Sequence, residues 1–303
     1  MKEILVVYYS QSGQLKDLLT NILKPLSNNE YHITYKNIEP VKKYNFPWSS
    51  DEFFDVMPES VLGINCELKH IDFEKTKYDL IILAYQVWYL SPSIPFWSFL
   101  NEKKYSKMLE NTKVLTVIGA RNMWIMAHKN VSIKLRQLQA NHIGNIVFVD
   151  KHNNLISVLT IMKWMFTGEK GPYKNLPNAG VSNKEIVESE KYGNLITEAF
   201  KNNTFGNLQT EIVKIGGVPI NFALKISETN AKRIFNIWAN KILSKGKAGN
   251  TNRLPLIRIF KYYLIFLIFA ISPIATILFT IVYYLFYPLT SKNLKRTSLL
   301  KDY

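Results

Sequence analysis

The sequence is poor in the residues that staple small domains or hold metal ions. Cys66 is its only cysteine, so no disulfide can form within the chain. That usage suits a reducing compartment. Cys66 stands in an irregular stretch before Glu67, not at a strand-to-helix elbow, and reads as structural. The other candidate ligands, His32, His70, His128, His142 and His152, show no metal-ligand spacing, so no metal is expected. Zinc-finger and RNA-recognition spacings are absent, and nucleic acid is not an expected partner. The first apolar run ends at Tyr9, too short for the core of a secretory signal. Acidic residues are also scarce: 38 Lys and Arg face 23 Asp and Glu, a net charge of +15.

What is present is organised around residues 4–15, ILVVYYSQSGQL. The first six are β-branched, apolar or aromatic, as in a buried strand. Ser10, Gln11, Ser12, Gly13 and Gln14 make a polar loop. Leu15, Leu18, Leu19, Ile22, Leu23 and Leu26 then recur at helical spacing. The first N–H groups of a helix have no partner inside it, and its dipole favours an anion at that end. Ser10 and Ser12 add hydroxyl donors, and Gly13 removes a Cβ from the approach. The loop holds no lysine, whereas a triphosphate loop needs Gly-Lys-Ser/Thr and a dinucleotide fingerprint needs three glycines. ATP, GTP and NAD are therefore poor candidates. A monophosphate held by hydroxyls and backbone suits FMN. A strand followed by a capped helix with no ligand fits the same residues.

Further along, residues 31–35 alternate as a strand. Residues 45–62, with Pro47, Trp48, Phe53, Phe54 and Met57, are long for a plain connection and predict a short helix, either one wall of a pocket or, the preferred reading, packing that covers the sheet. Residues 78–85 are apolar almost throughout, as a central parallel strand is. Two more strands are expected at 113–119 and 145–149, with helices between them, which implies a doubly wound parallel sheet. Ligands in such sheets bind beyond the carboxyl ends of the strands. Three loops belong there. The first carries Ser10, Gln11, Ser12, Gly13, Gln14 and Leu15. The second carries Gln86, Val87, Trp88 and Tyr89, whose rings suit a flat partner. The third carries Gly119, Ala120, Arg121 and Asn122. Residues 154–166 read as an apolar helix, by default core and otherwise a lid. Residues 182–201 read as a capped amphipathic helix that closes the domain, and 225–243 as another helix. Residues 246–253 look like a hinge.

Residues 262–291 carry no charge and exceed the roughly 20 residues that span a bilayer. From 241 to 303, ten Lys and Arg stand against one acid, so the segment is bracketed by positive charge that suits anionic lipid headgroups. A single span would leave one basic cluster outside. A hairpin turning near Ser272 and Pro273 keeps both clusters inside and is the preferred reading. Either arrangement leaves the sheet domain on the cytoplasmic face of the membrane.

VVYYSQSGQL and AYQVWYLSPSIPFWSFL resemble the flavodoxin-like fold and its FMN-dependent quinone reductase relatives over residues 1–202. The resemblance implies a five-stranded α/β sheet in the order 2-1-3-4-5, with 151–181 inserted before the last helix. A helical extension and hinge (203–252) and a membrane segment (253–303) then follow. Flavodoxins commonly carry Thr-x-Thr-Gly-x-Thr; here Ser10, Ser12 and Gly13 match, and Leu15 replaces the final hydroxyl. More narrowly, VVYYSQSGQL, GARNMW and the apolar tail resemble the dialkylresorcinol condensing enzymes. That resemblance implies a lipophilic substrate, a ketosynthase-like partner and oxidation of a dialkyl cyclohexane-1,3-dione to the resorcinol. Arg121 would then stabilise an enolate, Asn122 would hydrogen-bond it, and Tyr89 or His128 would relay the proton. Each has a plainer role: Arg121 capping a loop, Tyr89 packing, His128 on an exposed helix face. An NAD(P)H-dependent quinone reductase is the alternative enzyme. An electron carrier fits less well, because the chain is basic.

Overall fold

The computed structural model describes residues 1–300. Five parallel strands form the body of its sheet, β1 (Lys2–Tyr8), β2 (Tyr31–Asn37), β3 (Leu80–Trp88), β4 (Lys113–Ala120) and β5 (Asn141–Val149), and the two-residue strand Ser91–Pro92 adds a short antiparallel pairing to the end of β3. Every neighbouring pair among the five is parallel, and their spatial order is 2-1-3-4-5. β1 and β3 are apolar runs because both faces are covered; Ile4, Leu5, Val6, Val7 and Leu80 to Leu83 are fully shut from solvent.

The helices divide between the two faces. α1 (Gln14–Leu23) buries Leu15, Leu18, Leu19, Ile22 and Leu23. After β2 come α2 (Ser50–Asp55) and α3 (Met57–Leu62), two short helices where one was expected. Ser49 and Glu52 cap α2 reciprocally. α4 (Ile94–Asn101) and α5 (Ser106–Leu109) follow β3, α6 (Ile125–Gln137) follows β4, and α7 (Asn154–Thr167) follows β5. The helix expected over 182–201 is broken at Ser189 into α8 (Asn183–Glu188) and α9 (Glu190–Asn202). α9 approaches α1 so closely that a Cβ on Gly193 would lie 1.9 Å from the Ile22 carbonyl oxygen.

The body continues past residue 202. Phe205, with Leu208 and Ile212 of α10 (Leu208–Lys214), shares the main core, and the Val147 N–H donates to the Gly217 carbonyl. α11 (Phe222–Leu243) reaches back through Glu228, whose carboxylate accepts from the N–H groups of Ile125 and Met126 at the start of α6. The helical extension over 203–252 thus packs into the folded body. The expected hinge is a fixed corner. Arg253 is 0% exposed and ion-paired with Asp55 at 2.9 Å and with Glu59 at 2.7 Å.

From that corner one helix runs from Thr251 to Leu285, 35 residues, long and apolar enough by length and composition to cross a membrane. It comprises α12 (Leu254–Phe266), a π-helical turn (Leu267–Ile271) and α13 (Ser272–Leu285). The reversal expected at Ser272 and Pro273 does not occur. Proline lacks an N–H and crowds the carbonyl four residues back, and the preceding turn absorbs both by widening to π geometry. The helix runs antiparallel to α11, with Trp238 against Tyr263 at one end and Phe222 against Tyr283 at the other. The chain turns at Phe286, and α14 (Tyr287–Ser298) returns to the body. There Lys225 Nζ donates to Asn293 and Thr297, and Gln209 Nε2 donates to the Ser298 carbonyl.

Candidate functional site

The loop between β1 and α1 is a cradle of donors. Among the described residues, none accepts a hydrogen bond from the backbone N–H groups of residues 10–15. Ser10 Oγ is buried and likewise without a partner. Open N–H groups at a helix start, beside a buried hydroxyl with no partner, make this loop a candidate anion site. Gly13 serves here for a different reason from the one expected. Its φ is +86°, and nothing lies within 4 Å of where a Cβ would stand. The left-handed backbone, not lack of room, calls for glycine.

Three side chains predicted to contact a cofactor in this loop, those of Gln11, Gln14 and Leu15, have partners or packing elsewhere. The Gln14 amide closes a double clamp on Val181, donating from Nε2 to its carbonyl (2.9 Å) and accepting its N–H at Oε1 (3.0 Å). Only the Gln14 backbone faces the cradle's task. Leu15 is buried and supplies wall, not a phosphate contact. Gln11 Nε2 donates to the Asn45 carbonyl and ties the loop to the aromatic stretch that follows β2.

Beyond the cradle lies a cavity of about 250 Å³ at the carboxyl ends of β1, β3 and β4. Gln11, Ser12, Gln86, Val87, Trp88, Tyr89, Gly119, Ala120 and Arg121 line it, so the three predicted loops do converge. Trp88 is edged by Tyr9, Tyr44 and Trp48 at ring separations of 5.8, 5.1 and 5.6 Å. The rest of the aromatic wall comes from Phe46, Trp48 and Phe53 and from Trp164 and Met165 of α7. Sequence reading assigned the first group to packing and the second to core. Their density of large apolar side chains beside a polar loop was the available signal.

Arg121 is the cation at this wall. Burial pulls its guanidinium down to about 10, the Asp150 carboxylate opposes that shift, and the group stays charged at neutral pH. Its Nη1 donates to the Asn154 carbonyl and to Asn154 Oδ1, and Asn122 Nδ2 donates to the same Oδ1. Asn122 does not line the first cavity. It faces a second one, of about 400 Å³, between α11 and the long helix. Val87, Tyr89 and Arg121 line both.

Tyr89 and His128, the two candidate proton relays, are both held within the packing. The Tyr89 hydroxyl donates to the Phe53 carbonyl at 2.7 Å, and burial pushes its pKa well up, so its proton is held. Tyr89 and Leu90 form the two-residue loop of a tight hairpin closed by Trp88 and Ser91, with φ of +46° and +61°. Bulky residues in that turn cost about 1 kcal/mol or more each, strain that persists only where packing dictates it. His128 lines neither cavity. It is 0% exposed on the inner face of α6, with Tyr85 Oη 3.5 Å from Nδ1 and Ser132 Oγ 3.3 Å from Nε2. Burial, with His142 beside it, drives its pKa far down and keeps the imidazole neutral.

The strand order and the placement of the loops define a flavodoxin-like doubly wound fold. No family model and no curated protein matches the chain. Among solved structures, a flavoprotein of Lactobacillus acidophilus NCFM in complex with FMN is 20% identical. It aligns over 48% of this chain and 90% of its own, with a TM-score of 0.35. Two chains assigned as flavoproteins, from Bacteroides eggerthii DSM 20697 and Bacteroides uniformis ATCC 8492, are 13% and 15% identical. They cover 50% and 54% of this chain and 91% and 97% of their own, with TM-scores of 0.38 and 0.39.

Proposed function

We propose that this chain is a membrane-associated flavoprotein that binds FMN and oxidises or reduces a lipophilic substrate. The observation that carries the reading is the set of unpartnered donors from residue 10 to residue 15 at the head of a ten-residue helix. Those donors suit a phosphate dianion, and the loop has no lysine for a longer phosphate chain. Leu15 in place of a hydroxyl removes one side-chain contact, so the backbone must carry more of the binding. Bound FMN supplies a reversible two-electron sink. The protein's own part is to hold the phosphate, to flank a flat ring with Trp88 and to keep the Arg121 charge at the shared wall. That charge favours oxygen atoms that gain negative character.

The substrate class follows from the resemblance of VVYYSQSGQL and GARNMW to the dialkylresorcinol enzymes. A dialkyl cyclohexane-1,3-dione, oxidised to the resorcinol, is the substrate proposed. Support for a lipophilic substrate comes from the apolar helix beside the site. Anaerobic titration of the purified yellow protein tests the reading. Bleaching by the dione with resorcinol appearing is the expected result. Bleaching by NADPH alone would make the protein a quinone reductase. A colourless protein that takes up no FMN would end the flavin reading.

A further inference from the structure

We infer that the cavity between α11 and the long helix is a binding chamber for a single-chain amphiphile drawn from the bilayer, its oxygen-bearing head held against Arg121. This deepens the function proposed above and rests on it only in taking the Arg121 wall as the line where the two cavities meet.

The chamber is chemically divided. One end carries Arg121 and Asn122, both tied to Asn154. The other is apolar: Phe235 of α11 faces Leu264, Ile268, Ala275 and Phe279 of the long helix. Its volume of about 400 Å³ falls within the range of small-molecule sites, which are mostly apolar with a few placed polar groups. Ser227 also lines it, with Asn230 and Ser272, and Ser227 Oγ is buried with no hydrogen-bond partner. A ligand oxygen or hydroxyl at that height would satisfy it.

The way in is set by the long helix itself. One face turns to the chamber. The other shows an exposed apolar stripe, Ile259, Tyr262, Phe266 and Phe269, then Ile274, Ile277 and Ile281 beyond the π turn, with Tyr262 68% exposed. The positive flank of that stripe includes Arg258 at its start and Lys292 and Lys295 beyond its end, a charge complement to anionic headgroups. Both ends of the helix return to the same body, through Arg253 and through α14. A bilayer seated on the stripe therefore lies alongside the body, and only one helix separates its acyl region from the chamber. The π-helical turn Leu267–Ile271 lies in that wall, and such turns are frequent at functional sites.

Photolabelling separates the two faces of the helix. The full-length protein, loaded with FMN, is placed on vesicles of phosphatidylcholine and phosphatidylglycerol. A long-chain fatty ketone bearing a diazirine on its alkyl chain is the probe. The expected labels fall on Ile268, Ala275 and Phe279, and Ala275→Trp, which fills the chamber, lowers them at least tenfold. Labels on Ile274, Ile277 and Ile281 stay as they were, because those residues meet lipid. Ser227→Leu is the second filling variant and loses no existing hydrogen bond. Labelling confined to the outer stripe, or chamber labels indifferent to both variants, would overturn the inference. Chamber labelling in a protein that takes up no FMN would keep the chamber and remove the flavin reading instead.

Discussion

Replacing Ser12 by aspartate puts the cradle under direct test. Ser12 lines the first cavity, half-buried, one residue before the left-handed turn at Gly13. A phosphate monoester carries about 1.5–2 negative charges at neutral pH. Opposed to a carboxylate about 4 Å away, each charge would be repelled by ~4 kcal/mol at an effective dielectric of 20. Ser12 is partly open to solvent, so about half of that survives screening, roughly 3–4 kcal/mol in all. FMN affinity is expected to fall about 100- to 1000-fold. Ser12→Ala is the control: losing one hydroxyl bond to a charged acceptor costs about 1.5–3 kcal/mol, or roughly 10- to 100-fold. Quenching of FMN fluorescence on titration with apoprotein measures both, and far-UV circular dichroism checks that both variants fold. Undiminished affinity in the aspartate variant would refute the placement of the phosphate. Equal losses in the two variants would show that charge is not what the cradle reads.

Two predictions concern the body. Arg253→Ala strands the carboxylates of Asp55 and Glu59, so unfolding stability should drop by about 3–5 kcal/mol. Trypsin should then cut readily at Lys245 and Lys247; a cleavage rate equal to that of the unmutated protein would contradict the fixed corner. Glu228 is lifted by burial from 4.5 to about 7, against the pull of the two N–H groups it accepts. The folded state thus holds this proton more tightly than the unfolded chain, and its contribution to stability is lost as pH rises from about 4.5 to about 7. Glu228→Gln should erase that slope, on the order of 3 kcal/mol across the interval. Denaturation curves at several pH values would show it, and a pH-independent gap between the two proteins would count against the shifted carboxyl.

The sheet was legible because its central strands are buried on both faces and so read as apolar runs, and because the loops that follow them carry polar or aromatic residues. That placed the three loops at one end of the sheet. His128 was misjudged although its signal was present. Ile125, His128, Val131, Ser132 and Leu135 share one helical face, which put the imidazole in the core. Trp164 and Met165 were harder, since an apolar helix looks the same whether it fills a core or walls a cavity. The Gln14–Val181 clamp and the Glu228 cap on α6 join residues 167 and about 100 positions apart, and local patterns carry no such information. Pro273 carried a true signal with the wrong outcome: a helix supported along its length by α11 widens at a proline where an isolated one would bend.

The clamp on Val181 also bears on timing during synthesis. All five strands have left the ribosome once residue 149 emerges, so the sheet can assemble early. The loop between β1 and α1 is still incomplete then, because the two backbone groups that fix Gln14 arrive 32 residues later. At about 5–20 residues per second, that delay is a few seconds. The nascent protein passes through a stage in which its architecture is set but the β1–α1 loop is unfinished; under the function proposed above, a cofactor would load only after the insertion closes over that loop.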